Sequence, residues 1–211
     1  MFADKIPSNT LKLLGLLKTV TPTNSYLAGG TALALHLNHR SSYDLDIYSP
    51  ESFEESRVSR QWQQAFPEFK LTLLDWQTVQ GVVSDTDISL FLYEYPALEK
   101  PQVFNGFPIA SIADIAAMKI EAIMGRGLKR DFFDLYCICT MTELSLNELL
   151  SLNQTKYTRD GSNLPHILKS LTYFEDANTK SERATEVEPI WNKVQQFFIQ
   201  EVPSLIKSYN I

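Results

Sequence analysis

Apolar and polar residues alternate in short runs through the first half of the chain, and helical patterns separate these runs. A period of two predicts half-buried strands, whereas apolar residues every three or four positions predict amphipathic helices. The predicted strands cover residues 26–28, 43–48, 69–74, 78–83 and 88–93. The predicted helices cover residues 31–39 and 50–66, and an earlier helix lies between a cap at Ser8 or Asn9 and Pro22.

The second half of the chain has a helical period almost throughout. Prolines punctuate residues 95–109, and two glycines break the first long helical pattern into residues 112–125 and 128–141. Further helices are predicted over 145–152, 164–174 and 184–198, with a polar loop over 153–162. We therefore expect an α+β fold, with a mixed sheet and flanking helices in a domain of residues 1–108 and a helical region at 109–211.

Composition and charge restrict the possible functions. The chain has 211 residues, a net charge of −6 and a pI of about 5.1, which argues against a protein that coats nucleic acid non-specifically. This charge still allows one end of an RNA to dock on a local basic patch. The N-terminus lacks the pattern of a signal peptide, and no apolar run approaches the roughly 20 residues of a membrane span. We expect a cytoplasmic protein without membrane association.

Two aspartates on the predicted strand at 43–48 are the first candidate site. Asp44 and Asp46 lie on one face with Cα atoms roughly 7 Å apart, so they can share a divalent cation. Alone, such a pair is typical of a solvated surface strand. Here it follows Gly29-Gly30 and a short helix, and a glycine turn before a helix lets backbone N–H groups approach a phosphate. The combination favours a site for a metal-bound nucleotide.

A second candidate cluster lies in residues 119–134, where a glycine-broken helix junction carries both signs of charge. Its cations are Lys119, Arg126, Lys129 and Arg130, and its acids are Asp131 and Asp134. Cations near a metal site can hold a triphosphate and offset the charge on leaving pyrophosphate. The alternative is a solvated basic turn with an Arg–Asp helix pair.

Together these motifs resemble a known family. The segments GGTALALHLNHRSSYDLDIYS and IADIAAMKIEAIMGRGLKRDFFDLY are similar to the AbiEii/AbiGii toxin family of the DNA polymerase β-like nucleotidyltransferase superfamily. The resemblance implies a nucleotidyltransferase that uses Mg²⁺ (or Mn²⁺) to move an NMP from an NTP to an acceptor, with release of pyrophosphate. The acceptor would be an RNA, such as a tRNA 3′ end, or a protein hydroxyl, and a cognate antitoxin is a further possible partner.

The resemblance also implies roles for individual residues. Asp44 and Asp46 would bind the metal and act in catalysis together with Lys119 and Asp131. The nucleotide would be bound by glycine-turn residues, by the loop before the metal strand and by two later arginines: Gly29, Gly30, Thr31, Arg40, Ser42, Arg126 and Arg130. Asp134 matches a second aspartate of the C-terminal motif, for which we expect a supporting role.

One position departs from the superfamily pattern. A third carboxylate is common on a later strand, where it activates the attacking hydroxyl, but the matching position here holds Ser89. Asp87 or Asp131 could serve as the base, or metal coordination alone could deprotonate the acceptor. A third possibility is a chain that binds nucleotide but transfers it poorly.

Two other functions fit parts of the sequence. The first is a catalytically weak nucleotide-binding or partner-binding module on the same fold, which Ser89 favours. The second is a small-molecule nucleotidyltransferase of the aminoglycoside-modifying kind, although the KRDFFD segment fits it poorly.

Overall fold

The computed structural model describes residues 1–158, 161, 163–179 and 186–209. It divides into two compact units, Met1–Ser111 and Ile112–Ile211. No helix in the described part of the chain is both long enough and apolar enough to cross a membrane.

The first unit is built on a mixed sheet, in which the described residues form seven strands in the order β3-β4-β5-β2-β1-β7-β6. The strands are β1 (Tyr26–Ala28), β2 (Leu45–Ser49), β3 (Lys70–Asp75), β4 (Thr78–Val83), β5 (Thr86–Leu92), β6 (Gln102–Phe104) and β7 (Phe107–Ile109). The helices are α1 (Ser8–Leu17), α2 (Gly29–Leu37) and α3 (Glu55–Ala65).

The register of the central strands decides which side chains share a face. β2 runs antiparallel to β1, with Ala28 opposite Asp46, and parallel to β5, with Asp46 opposite Ser89. Leu45 and Ile47, which alternate with Asp46, are fully buried on the other face. β2 begins at Leu45, so Asp44 lies just before it. Within the strand, the apolar residues point into the core and Asp46 points to the opposite side.

The second unit is helical in its described part. It contains α4 (Ile112–Gly125), α5 (Lys129–Met141), α6 (Leu146–Lys156), α7 (Leu164–Ser170), α8 (Glu175–Thr179), a 3₁₀ turn (Glu188–Ile190) and α9 (Trp191–Ser208). Its core includes the ring of Phe132, whose centroid lies 5.2 Å from Phe174, 5.9 Å from Trp191 and 5.5 Å from Phe198. These edge-on and tilted contacts are the arrangement that aromatic rings prefer.

The predicted α+β class is confirmed, since a mixed sheet is followed by a helical second half. The predicted side-chain cap at Ser8 or Asn9 is wrong, because α1 begins directly after Pro7 and has no side-chain cap. Helix α3 begins at Glu55 instead of residue 50. The Ser49 hydroxyl bonds to the backbone of Glu51, and the chain is still extended at Glu54, so the helix starts only after this segment.

Boundaries in the second half also differ. Helix α6 continues to Lys156, so the predicted loop at 153–162 begins later, and residues 159, 160 and 162 of it lie outside the described residues. The predicted helix at 164–174 ends earlier, at Ser170, as α7, and α8, which begins at Glu175, was not predicted. Residues 184 and 185, where the last helix was predicted to begin, are not described, and α9 continues ten residues beyond its predicted end at Phe198 to Ser208.

Two strands were not predicted. β6 and β7 form a hairpin within the proline-rich stretch, and β7 also pairs with β1 through Leu27 and Ile109. Each strand is only three residues long, too short for a period of two to stand out, and Pro108 weakens the strand signal further.

Candidate active site

The chain turns at Gly29, where β1 ends and α2 begins, and this glycine lies against an aspartate. Gly29 has a φ of +70°, and a Cβ atom at this position would lie only 2.7 Å from Oδ2 of Asp46. Asp46 is also the register partner of Ala28, the residue before the turn. The Asp46 carboxylate therefore faces the start of α2. It lies so close that position 29 has no room for a side chain.

The loop before β2 packs on the second glycine. A Cβ atom at Gly30 would lie 2.3 Å from Nη2 of Arg40 and 3.2 Å from Oγ of Ser42. Both side chains are buried. A glycine at position 30 is therefore what allows the Arg40 guanidinium to lie against the N-terminus of α2.

Thr31 fixes the same loop from the other side. Its buried hydroxyl donates to the backbone carbonyl of Asp44 at 2.5 Å and lies 2.8 Å from the Ser42 hydroxyl. These bonds hold the backbone at the point where Asp44 leads into β2. The first unit thus brings together the predicted residues Gly29, Gly30, Thr31, Arg40, Ser42, Asp44 and Asp46.

The acidic pair has the chemistry of a magnesium site that a substrate completes. Asp44 and Asp46 are half-buried and alternate with the buried Leu45 and Ile47. Among the described residues, no three His, Cys, Asp or Glu side chains are grouped as metal ligands. Mg²⁺ is commonly held by one or two carboxylates, with substrate phosphates and water as the other ligands, so two aspartates near a glycine turn fit this cation.

The strand next to the pair carries a serine and a more distant aspartate. Ser89 lies opposite Asp46 in the parallel register, and Nε2 of Gln80 donates to its Oγ at 3.4 Å. Asp87 lies two residues before Ser89 on β5, so it is on the same face of the sheet, and it is exposed. The acid nearest to Asp46 on β5 is therefore Asp87, which joins no three-ligand group.

In the second unit, a buried ion-pair network joins α4 to α5. Nζ of Lys119 lies 2.8 Å from Oδ1 of Asp131 and 2.6 Å from Oδ2 of Asp134. Arg126 holds Asp131 with two bonds, from Nε at 2.9 Å and from Nη2 at 3.0 Å. Both aspartates are fully buried, so the network is not the solvated basic turn that the sequence also allowed.

These contacts keep Asp131 ionised. Burial acts to raise the pKa of Asp131, but the charge of Lys119 and the hydrogen bonds and charge of Arg126 together lower this pKa below its usual value. A carboxylate held in this way orients its cations and is a poor proton acceptor.

The remaining basic residues of this region differ in their contacts. About half of the Arg126 side chain is exposed. Arg130, in the first turn of α5, is also partly exposed. Lys129 pairs with Glu188 at 2.6 Å and lies 5.8 Å from the centre of the Trp191 ring. Lys129 therefore serves packing and charge balance within the second unit.

An aromatic layer on the acidic face was not predicted as part of the site. Tyr48, two residues beyond Asp46, stacks on Tyr26 with centroids 6.0 Å apart and contacts Phe91 at 5.6 Å. Tyr48 continues the alternation of Asp44 and Asp46, and this signal places its ring beside the acids.

Comparisons with known proteins give a family match and a relative that covers most of the chain. The family model described as "Nucleotidyl transferase AbiEii toxin, Type IV TA system" matches residues 92–208. An uncharacterized protein of Aquifex aeolicus, aq_aa25, is 38% identical over 192 residues, which cover 87% of this chain and 88% of that protein.

Two solved structures share the fold. MenT4, a nucleotidyltransferase toxin from Mycobacterium tuberculosis, matches with a TM-score of 0.54 and 17% identity over 90% of this chain and 81% of MenT4. JHP933 from Helicobacter pylori matches with a TM-score of 0.50 and 19% identity over 97% of this chain and 98% of JHP933. The family match covers more than half of the chain, and the relative covers most of it. The chain therefore belongs to the AbiEii family of nucleotidyltransferase toxins.

Proposed function

We propose that this nucleotidyltransferase uses Asp44 and Asp46 to hold Mg²⁺ (or Mn²⁺) with an NTP, and transfers the NMP to an acceptor hydroxyl with release of pyrophosphate. The observation that carries the proposal is the direction of the Asp46 carboxylate, 2.7 Å from the place where a Gly29 side chain would begin. The matched family range begins at residue 92, so the metal site rests on this geometry and on the sequence motif.

The start of α2 supplies the phosphate contacts. Backbone N–H groups at Gly29 and Gly30 open the helix, and a helix N-terminus favours negative charge. Arg40 adds a guanidinium next to Gly30, and the hydroxyls of Thr31 and Ser42 keep the loop in place. When bound, the cation would neutralise the triphosphate and lower the pKa of the acceptor hydroxyl.

The two carboxylates predicted as the base differ in their accessibility. Ser89 has no basic group, and Asp131 is buried between two cations. Asp87 is exposed on the face that carries Asp46. Of the two carboxylates proposed as the base, we therefore assign Asp87, with deprotonation by cation coordination alone as the alternative.

In the second unit we assign nucleotide contacts to Arg126 and Arg130. Lys119 and Asp131, predicted as catalytic residues, are instead assigned a positioning role, because both are buried and bonded to each other. Asp131 holds the guanidinium of the half-exposed Arg126 side chain through two hydrogen bonds. This arrangement would present a fixed cation to a phosphate.

The acceptor we propose is an RNA, with a protein hydroxyl as the alternative. A net charge of −6 disfavours contact along a whole RNA surface, so an RNA would dock by one end, such as a tRNA 3′ end. The family description names a type IV toxin–antitoxin system, which supports a cognate antitoxin and action in the cytoplasm, where NTP and RNA are available.

The test uses α-³²P-labelled NTPs, Mg²⁺ and cell extract. We expect label in a macromolecule that ribonuclease removes, and no label with Asp46→Asn, whereas the matched control Asp85→Asn, at an exposed turn, transfers like the wild type. Label removed by protease would make the acceptor a protein. Nucleotide binding without transfer, unchanged in Asp44→Ala, would support the non-catalytic module instead.

A further inference from the structure

An apolar edge strand ends the sheet of the first unit. In the described part of the chain, β3 is the last strand of the sheet and its outer side faces no other strand. All six of its residues are exposed, including Leu71 at 40%, Leu73 at 43% and Leu74 at 44%. Trp76, in the turn that follows, is 77% exposed. Exposed hydrophobic edges of this kind pair with a strand from another chain.

A bulge arranges the side chains of β3 in an unusual order. Leu71 lies opposite Gly81 on β4, and Leu73 lies opposite the adjacent Gln80, so Thr72 is an extra residue. Opposite residues of an antiparallel pair share a face, and the residues of β4 alternate. It follows that Lys70, Leu73 and Asp75 lie on one face of the sheet, whereas Leu71 and Leu74 lie on the other.

This order makes the edge complementary to itself. We propose that two copies of the protein pair through β3, antiparallel, about a two-fold axis at Leu73. Leu73 would then lie opposite its own copy, Leu71 opposite Leu74, and Lys70 opposite Asp75. Every pair is apolar or oppositely charged and shares one face, and such cross-strand pairs stabilise a sheet. A symmetric dimer requires an edge strand that is complementary to itself. Pairing with a strand of another protein would not require this property.

Other symmetric registers fit less well. Centring the axis on Leu71 or Leu74 would put Lys70 or Asp75 opposite Leu73 and would leave fewer residues paired. The proposed register is therefore the one in which both charges find partners. A strand of six residues buries less than a standard interface of roughly 1,200–2,000 Å², so we expect a weak dimer that depends on concentration.

The test is sedimentation velocity over about 1 to 200 µM protein, the range in which weak complexes assemble. We expect a shift from monomer to dimer in the wild type. Leu73→Arg puts like charges on the axis and should raise the dissociation constant at least tenfold, while circular dichroism shows an intact fold. The matched control is Val103→Arg, at an exposed apolar residue of the opposite edge strand, β6, and should dimerise like the wild type.

Charge exchange tests the register itself. Lys70→Asp and Asp75→Lys should each weaken the dimer, because each puts like charges opposite one another, and the double variant should restore it. In a second test, Leu73→Cys should form a disulfide between copies on mild oxidation, whereas Leu71→Cys, which faces Leu74, should not.

A wild type that stays monomeric to the highest concentration would overturn the proposal. So would a dimer that Leu73→Arg and Val103→Arg weaken equally, or a double charge variant that remains as weak as the single variants. Because none of these measurements uses NTP or acceptor, failure of the dimer is distinct from failure of the proposed transfer.

Discussion

At the scale of single residues, the candidate site depends on two positions, Gly29 and Gly30, that have no side chain. A side chain at Gly29 would meet the Asp46 carboxylate, and one at Gly30 would meet the Arg40 guanidinium. The sequence predicted the glycine turn and the acidic pair, because both are local patterns. It could not show that Arg40 lies against Gly30, since this contact depends on how the chain turns back after α2 ends at Leu37.

Gly29→Ala should therefore reduce transfer strongly. The substitution strains a backbone with a φ of +70° and displaces the Asp46 carboxylate, so we expect a loss of stability of about 1–3 kcal/mol. Displacing a ligand by about 1 Å should lower kcat/KM by about 100-fold. The measurement is initial rate together with thermal unfolding.

Gly125→Ala is the matched control for this variant. Gly125 ends α4, and a Cβ atom there would meet nothing within 4 Å. Its stability should be unchanged or higher by up to about 1 kcal/mol, with full activity. Equal activities of the two variants would show that the Gly29 turn does not position Asp46 for the reaction.

Asp131→Asn tests the buried network through its pH dependence. The native pKa of Asp131 is lowered, so the carboxylate contributes stability above its unfolded pKa of about 3.9. That contribution is lost as the pH falls through the lower native pKa. We expect the variant to be less stable than the wild type by about 3 kcal/mol near pH 7, and the difference to shrink below about pH 4.

The measurement is urea unfolding of both proteins from pH 3 to pH 7. The difference between the two unfolding free energies at each pH removes the effect of the other carboxylates, because both proteins contain them. A difference that is the same at every pH would mean that Asp131 is not ionised in the native state.

At the scale of secondary structure, a second buried ion pair joins α4 to α6. Nζ of Lys156 lies 2.6 Å from Oδ1 of Asp114, and both side chains are buried. Asn153 adds hydrogen bonds to the carbonyl of Ala117 at 3.1 Å and to Glu121 at 2.8 Å. These contacts explain why α6 continues through residues that looked like a polar loop: its polar side chains are buried against α4.

Lys156→Met should destabilise the protein by about 3–5 kcal/mol, because the variant leaves the Asp114 carboxylate buried without its cation. The double variant with Asp114→Leu should recover most of this loss, since two apolar side chains need no compensation. Urea unfolding at pH 7 measures both changes.

The control is Arg60→Met, whose ion pair with Glu54 lies at the surface, with 62% and 63% of the two side chains exposed. An ion pair at the surface contributes about 0–1 kcal/mol, so this variant should lose little stability. A Lys156→Met protein as stable as this control would contradict the structural role of the buried pair.

Prediction from sequence worked best for elements with a clear period. The hairpin of β4 and β5 and the glycine break between α4 and α5 were predicted close to their observed positions. The hairpin of β6 and β7 was missed because its strands are too short, and β3 was expected to bury one face, whereas its position at the sheet edge exposes all of it. Edge position is a property of the whole sheet, which local alternation does not report.

At the scale of the whole molecule, the two units hold different parts of the proposed site. The first unit holds the acidic pair and the glycine turn, and the second holds the Lys119–Asp131 network. The family match covers mainly the second unit and identifies the chain as a nucleotidyltransferase. The acidic pair in the first unit lies outside the matched range, so a direct measurement of metal binding tests it best.

That measurement is Mn²⁺ binding, followed by electron paramagnetic resonance in the presence of a non-hydrolysable NTP. Mn²⁺ prefers the same oxygen ligands as Mg²⁺ and reports binding without any transfer. We predict that the wild type binds Mn²⁺ with the nucleotide, and that Asp44→Asn and Asp46→Asn each weaken the binding at least tenfold while Asp85→Asn does not. Binding of Mn²⁺ by both variants as tightly as by the wild type would contradict the assignment of the metal to this pair.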